Sequence, residues 1–291
     1  MSAIRRFGAM FGVAAACGGV AVAAGGCGAA STIDPVAKAA TVSTTSPGYQ
    51  MRFSFQFSSP QLPTPLTATG IGSIDARDHA GSVALAMNAG NNPELEQVFG
   101  GSTLRFQELV KGSVVYLKIP SAFASKLPSH RPWLKLDLTK VSGIPGFGSL
   151  ANNPVSSDPS QMLGYLRATS GGVTNKGSEV VNGIKTTHYH ATISLDKVPN
   201  ALPAASRKSA RQAISSLEQV THLRQLPVDA WIDSKSLVRR MRLSFGETVP
   251  GGVKLNALIS IDITKYGPQP VPAFPSADQV TDASSLLRLG G

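Results

Sequence analysis

Two histidines, His188 and His190, are the residues in this sequence whose type and spacing best suit metal binding. They are two positions apart, so in a β-strand both imidazoles lie on the same face, where they could supply two ligands. No third ligand stands at a suitable spacing, and no His-Glu-x-x-His motif is present. We therefore favour a partly exposed strand face without a metal, and keep the metal site as the alternative.

No other group of residues has the spacing of a catalytic site. The sequence lacks a Gly-x-Ser-x-Gly motif, and its acidic residues are scattered. Gly70-Ile71-Gly72 lies inside a predicted strand that no helix follows, which favours a bend or a close backbone approach over a phosphate-binding loop. We predict no catalytic residues and no cofactor, and an enzyme acting on envelope lipid is the third of our functional hypotheses.

The N-terminal segment has the layout of an export signal. Arg5 and Arg6 are followed by an uncharged run, 7–26, and then by Cys27, which small residues precede. This segment resembles a bacterial lipoprotein signal, in which the cysteine after the small residues is acylated and becomes the first residue of the mature chain. We predict that residues 1–26 are a signal peptide and that Cys27 is the lipidation site.

Three other interpretations of the segment stay open. Ala24 stands where leucine is usual in a lipoprotein signal, so an ordinary signal cut after Ala24 or Gly26 is one alternative. The run is close to the ~20 residues that span a bilayer, so an uncleaved helix is another. Cys17 also follows small residues, but cleavage there would leave an apolar region of only about ten residues.

Composition limits what the exported part can be. Both cysteines lie within the first 27 residues, so the chain after Cys27 has no disulfide and no cysteine-ligated metal. The net charge of +10 falls to +8 without Arg5 and Arg6. Export and the lack of basic patches with interleaved aromatics exclude nucleic acid as a partner, and attraction to anionic lipid headgroups is the better use of this charge.

The hydrophobic pattern predicts one α+β domain at 48–291, after a flexible tether at 27–47 in which a short helix around Pro35–Ala40 is an alternative. Alternation of apolar and polar residues marks about eleven strands, mostly joined as hairpins: Tyr49–Phe57, Thr67–Ala76, Ser82–Met87, Thr103–Val110, Val114–Ile119, Trp133–Leu138, Lys176–Val181, Ile184–Leu195, Leu226–Ile232, Leu237–Phe245 and Val253–Thr264. Helical spacing or capping residues predict further elements: a helix or loop at Asn91–Phe99, a short helix from Asp158, a long helix at Pro203–Arg224 and a C-terminal helix at Ser276–Leu287.

One stretch of the chain resembles a known family. Residues Gly177–Tyr189 match the pattern G-x-E-x-V-x-G-x-x-T-x-H-Y of the mycobacterial lipoproteins LppX, LprA, LprF and LprG. The segments Leu226–Asp233 and Pro275–Val280 fit the same family, and the similarity extends over roughly Tyr49 to Leu287. The resemblance implies a LolA-like fold: a curved antiparallel half-barrel with helices over its concave face and an apolar cavity between them.

The resemblance also implies a function without catalysis. The chain would bind acylated lipids, phospholipid or glycolipid, in the cavity and carry them at the cell envelope, anchored to the membrane on its periplasmic side, with an envelope transporter as a candidate partner. A structural or signalling lipoprotein that binds a protein partner without lipid cargo is the second hypothesis. The predicted cavity lining consists of apolar strand and helix residues: Phe53, Phe55, Phe57, Leu85, Met87, Val115, Leu117, Ile214, Leu217, Val220 and Met241.

Overall fold

The structure, a computed structural model, describes most of the chain after the predicted signal. The described residues are 34–60, 62, 64–120, 123, 131–137, 162–202, 204, 207–221, 223–249 and 253–283. The predictions for Cys17, Cys27 and the signal peptide therefore lie outside them. Within these ranges, no helix is both long and apolar enough to cross a membrane.

A single sheet of twelve strands dominates the described residues. In chain order these are β1 (Gly48–Ser58), β2 (Leu66–Asp75), β3 (Ala80–Asn88), β4 (Thr103–Lys111), β5 (Val114–Lys118), β6 (Trp133–Asp137), β7 (Thr169–Val181), β8 (Ile184–Ser194), β9 (Gln225–Asp233), β10 (Val238–Val249), β11 (Val253–Tyr266) and β12 (Val280–Asp282). Their order across the sheet is β12-β6-β5-β4-β3-β2-β1-β11-β10-β9-β8-β7. Neighbours are antiparallel except for β12 and β6, and the edges β12 and β7 do not pair with each other, so the sheet is unclosed.

The alternation in β1 sets up the two faces of the sheet. Met51 and Phe53 are buried while Arg52 and Ser54 are exposed. Phe53 is paired directly with Ile261 of β11. Since directly paired residues of neighbouring strands share a face, Phe53 and Ile261 lie on the same face. We call the face that carries Phe53 and Ile261 the covered face, and the opposite face, which carries Arg52, the polar face.

The described residues include five α-helices. They are α1 (Pro35–Thr44), α2 (Pro93–Phe99), α3 (Met162–Tyr165), α4 (Val198–Ala201) and α5 (Arg207–Thr221), with short 3₁₀ turns at Leu166–Ala168, Leu195–Lys197 and Ala277–Gln279. Residues of α1, α4 and α5 join those of β1 and β8–β11 in one buried apolar cluster. The predicted fold class, an α+β protein with a curved sheet covered by helices, is confirmed, with twelve strands rather than about eleven.

Helix α1 corrects part of the predicted tether. Asp34 caps it, accepting a hydrogen bond from the backbone N–H of Val36 at 2.8 Å. Val36 and Ala39 are fully buried in the main core, and the Ser43 hydroxyl accepts a hydrogen bond from the backbone of Val238 in β10 at 2.9 Å. Residues 35–44 are therefore part of the folded domain, and residues 45–47 join α1 to β1. The part of the predicted tether at 27–33 lies outside the described residues.

The C-terminal prediction was also wrong in part. In place of a helix from Ser276, the chain makes a 3₁₀ turn at Ala277–Gln279 and then strand β12, which pairs in parallel with β6. Val280 packs with Leu109 and Trp133 in a small second apolar cluster. The capping residues Ser276 and Asp278 do start a turn, but tertiary pairing with β6 replaces the helix that local propensity favoured.

Candidate functional site

The strand residues predicted to line a lipid cavity all fall on the covered face. Pairing connects Met241 through Ile261 to Phe53, and Phe53 through Gly70 to Leu85. The other strand candidates occupy equivalent positions in neighbouring rows: Phe55, Phe57, Met87, Val115 and Leu117. The sequence alone left open which face of each strand these residues share, and the register places them on one face.

Burial of these candidates differs from strand to strand. Met241 is 1% exposed and Phe53 is buried, because both lie in the main core beneath the helices. Phe55 and Leu85 are partly buried at the margin of this core, and Phe57 is 36% exposed near the end of β1. Of the remaining candidates, Val115 is buried, Met87, Leu117 and Ile214 are half-buried, and the side chains of Leu217 and Val220 lie outside the described residues.

Glycines in β2 allow the bulky residues of β1 to lie flat on the covered face. An added Cβ at Gly70 would overlap the Phe53 ring and stand 2.6 Å from the carbonyl oxygen of Ala84. At Gly72 it would stand 2.5 Å from the terminal methyl of Met51. The sequence predicted a bend or a close backbone approach at Gly70-Ile71-Gly72. The close groups are side chains of β1 at both glycines, together with the carbonyl oxygen of Ala84 at Gly70.

The predicted histidine pair lies on the polar face, within a group of carboxylates. Nδ1 of His188 is 2.9 Å from a carboxylate oxygen of Glu179, and its Nε2 is 2.9 Å from one of Asp229. His190 contacts the same Asp229 oxygen at 3.0 Å. Because an ionised carboxylate only accepts hydrogen bonds, His188 makes both contacts as donor when its ring carries two protons. Among the described residues no three side chains form a group that could hold a metal ion.

Trp231 is the centre of this polar group. It is 4% exposed, its ring stacks on His188 at 4.3 Å between centroids, and its indole N–H donates to Glu179 at 2.8 Å. The guanidinium groups of Arg240 and Arg242 lie 5.7 and 5.4 Å from the centre of the same ring. A buried aromatic side chain is thus held by polar contacts on its edge and by cations at its face.

Contacts within this group shift the pKa of two of its members, Glu179 and Arg240. The pKa of Glu179 is lowered, first of all by the hydrogen bond from Trp231 and then by His188. Arg240 forms two hydrogen bonds of 2.6 Å with the two carboxylate oxygens of Asp262, and this contact raises the pKa of Arg240. On the covered side, burial raises the pKa of Tyr266 to about 12, and its hydroxyl donates to the carbonyl of Val238 at 2.7 Å.

Next to the Trp231 group, the polar face contains a groove with a volume of about 1290 Å³. Its walls come from β10, β11 and β1–β5, and the side chains that point into it carry more cations than carboxylates. Its cationic residues are Arg52, Arg105, Lys118, Arg240 and Arg242. Sequence reasoning missed this groove, although the outward positions of the predicted strands that hold Arg52, Arg105 and Arg240 were the available signal.

Comparison with solved structures finds lipoproteins. The chain is similar to the crystal structure of LprF from Mycobacterium bovis, at a TM-score of 0.41 and 11% identity over 82% of this chain and 94% of that one. It is also similar to lipoprotein LppX from Mycobacterium tuberculosis, at a TM-score of 0.42 and 15% identity over 82% and 98%. Both belong to the lipoprotein group that the motif at 177–189 resembles. No protein-family model and no curated protein sequence matches the chain.

Proposed function

We propose that this chain is a membrane-anchored lipoprotein that binds acylated lipids against the covered face of its sheet and carries them at the cell envelope. The observation that supports the proposal is the alignment on this face of apolar side chains from β1, β3, β5 and β10. Several of them, such as Phe55 and Leu85, are only partly buried by the described residues. An acyl chain lying there would remove their remaining apolar surface from water.

The physical basis for such binding is the transfer of the chain itself out of water. Each buried CH₂ contributes about 0.8 kcal/mol, so one long acyl chain supplies most of the binding free energy without a specific polar contact. A covered face that carries apolar side chains and glycines suits this non-directional interaction. No catalytic group is needed for it, and the proposal assigns none.

Lipidation of Cys27 would supply one of the two attachments that stable anchoring requires. A single acyl chain gives only marginal membrane binding, and a second signal makes it durable. The net charge of +8 outside Arg5 and Arg6 would add attraction to anionic headgroups. The proposed localisation is therefore the outer surface of the cell membrane, with the folded domain in the envelope.

Lipid binding is testable on the full-length chain purified from membranes and examined by native mass spectrometry. We expect co-purified lipid with the wild type, and less of it after Leu85→Glu or Leu117→Glu, which each place a charge on the covered face. Val271→Glu is the matched control, since Val271 lies outside the strands of the sheet with 44% of its surface exposed. Thermal unfolding of each variant separates lost binding from lost folding.

The outcomes distinguish the three functional hypotheses. A wild-type protein that carries no lipid and takes up no offered phospholipid or glycolipid contradicts the proposal and favours a lipoprotein with a protein partner. Equal lipid content in Leu85→Glu and Val271→Glu would mean that the lipid binds away from the covered face. Release of fatty acid from an offered lipid ester would indicate an enzyme.

The anchor has its own test, in which one cysteine serves as control for the other. Cys27→Ala should move the protein from the membrane fraction to the soluble envelope fraction, because the acylated residue is lost. Cys17→Ala should leave it in the membrane. Unchanged membrane retention of Cys27→Ala would mean that the apolar segment 7–26 is uncleaved and anchors the chain itself.

A further inference from the structure

The groove on the polar face combines features that the proposed acyl-lipid site on the other face does not use. Two cross-strand rows form its floor. One row runs from Arg240 through Asp262 and Arg52 toward Lys118, and the next runs from Arg242 toward Arg105. With neighbouring strands about 4.8 Å apart, the second row spans five strand spacings, about 24 Å along the sheet.

The middle of the groove is apolar, which is unusual for an outward strand face. Ile71 is 61% exposed and Leu258 is 36% exposed, and both line the groove. Ala84 and Ala86 of β3 lie beside Ile71 of β2, and their side chains are too short to fill the groove. Exposed apolar surface within a concave site favours a ligand with an apolar portion.

Two cations of the groove, Arg52 and Arg105, form neither an ion pair nor an aromatic contact with the described residues. Asp262 is the only carboxylate among the described lining residues, and Arg240 engages both of its oxygens. In the described part of the chain, no ion pair or hydrogen bond joins Arg52 or Arg105 to another residue. They flank the apolar floor, with Ile71 and Ala84 between their strands. Guanidinium groups that form no ion pair with the described residues are suited to bind a phosphate or carboxylate, which they can hold through two parallel hydrogen bonds.

The other end of the groove holds its cations in place. Arg240 is fixed by Asp262, and both Arg240 and Arg242 lie against the ring of Trp231. Trp231 in turn is held by Glu179 and His188. A cationic wall that is ordered without a ligand loses less side-chain entropy when an anion binds.

We propose that this groove is a second binding site, selective for amphiphilic anions: molecules that carry a phosphate or carboxylate group on an apolar chain. The anionic group contacts Arg52 or Arg105, and the chain covers Ile71, Ala84 and Ala86. The site is independent of the acyl-lipid site on the covered face, because its side chains point to the other side of the sheet.

The test measures binding of radiolabelled octyl phosphate by equilibrium dialysis. The full-length chain is held in phosphatidylcholine nanodiscs, and binding to empty nanodiscs is subtracted. We expect octyl phosphate to bind more tightly than octyl glucoside, which has the same chain and no charge. The double variant Arg52→Gln/Arg105→Gln should weaken octyl phosphate binding on the order of tenfold or more, since it removes the charge-assisted contacts.

Arg211→Gln/Arg224→Gln is the matched control, because it removes two exposed guanidinium groups outside the groove. It should leave the affinity unchanged, and circular dichroism should show both double variants folded. Equal weakening by the two double variants, or equal affinity for octyl phosphate and octyl glucoside, overturns the proposal. Displacement of octyl phosphate by an equal concentration of inorganic phosphate also overturns it, because the apolar floor would then contribute nothing.

A membrane surface is the competing occupant, and the same variants exclude or reveal it. If Arg52→Gln/Arg105→Gln lowers binding to vesicles containing phosphatidylglycerol and leaves octyl phosphate affinity unchanged, the groove proposal is wrong and the cations act on bilayers. Native mass spectrometry of each groove variant measures its co-purified lipid, which tests the covered face independently of octyl phosphate binding. A failure in the groove therefore leaves the acyl-lipid proposal standing, and the reverse also holds.

Discussion

The covered face and the polar face are built from the same strands, yet different forces hold them. On β11, Ile261 is fully buried among apolar side chains, while its neighbour Asp262 points to the other side and binds Arg240 through two short hydrogen bonds. On β10, Met241 and Arg242 show the same contrast. The period of two along a strand is what lets one sequence carry two unlike surfaces.

This difference has consequences for what each face can bind. Apolar packing is non-directional, so the binding proposed for the covered face would select a ligand by apolar area and not by polar groups. Hydrogen bonds and ion pairs depend on direction and distance, so the polar face can select for charge. The two proposed sites therefore differ in what they would select: the covered face selects for apolar shape, and the groove selects for negative charge as well.

The largest expected effect is a difference in the free energy of unfolding between substitutions at two neighbouring residues of β10. Met241→Ala should lower the free energy of unfolding by about 2–5 kcal/mol, because it leaves a cavity in the main core. Arg242→Ala should cost about 1 kcal/mol or less, because it removes one exposed cation from the face of Trp231. Urea denaturation followed by circular dichroism measures both, and similar costs at the two positions would contradict the division between the faces.

A smaller effect is expected from the glycines of β2. Gly70→Ala should destabilise the protein by about 1–3 kcal/mol, because the new methyl group meets the rigid ring of Phe53 and the backbone at Ala84. Gly72→Ala should cost less, since the group that it meets is the flexible end of Met51. The same denaturation experiment compares them, and an equal or larger cost at Gly72 would mean that ring contact does not define this part of the covered face.

Much of the sheet could be predicted because its signals are local. The alternation from Tyr49 to Phe57 and the Asn182-Gly183 turn reflect the strand period and the turn geometry, which the residues themselves determine. Strand β1 and the hairpin of β7 and β8 therefore lie at the predicted positions, although β7 begins earlier than predicted, at Thr169. The motif at 177–189 is part of the same hairpin.

The remaining features depend on contacts between distant segments. Residues 35–44 are a mixture of small apolar and polar residues, a composition that suits a tether as well as a helix. Only their packing onto β9 and β10 shows that they form a core helix. Strand β12 needs β6 as its partner, and the paired residues of the two strands are 147 positions apart in the chain. The groove could not be predicted from the sequence for the same reason, because Arg52, Arg105 and Arg240 line one groove only through the register of the sheet.

The smallest effect concerns the polar face alone and depends on pH. The folded-state pKa of Glu179 is lowered from its ordinary value of 4.5, chiefly by the Trp231 indole. A carboxyl whose pKa is depressed on folding adds stability above its unfolded pKa, and this stability is lost as the pH falls through the folded pKa. Glu179→Gln keeps the shape and an acceptor oxygen for the indole but removes the charge.

We therefore expect Glu179→Gln to be less stable than the wild type at pH 7, with a difference that shrinks below pH 4.5. Urea unfolding at pH 7, 5 and 3.5 gives the three points needed, and groups that titrate alike in both proteins cancel in the difference. Glu218→Gln on α5 is the control, because that residue lies outside the Trp231 group. A constant difference between wild type and Glu179→Gln at all three pH values would show that shape, rather than charge, holds Trp231 on the polar face.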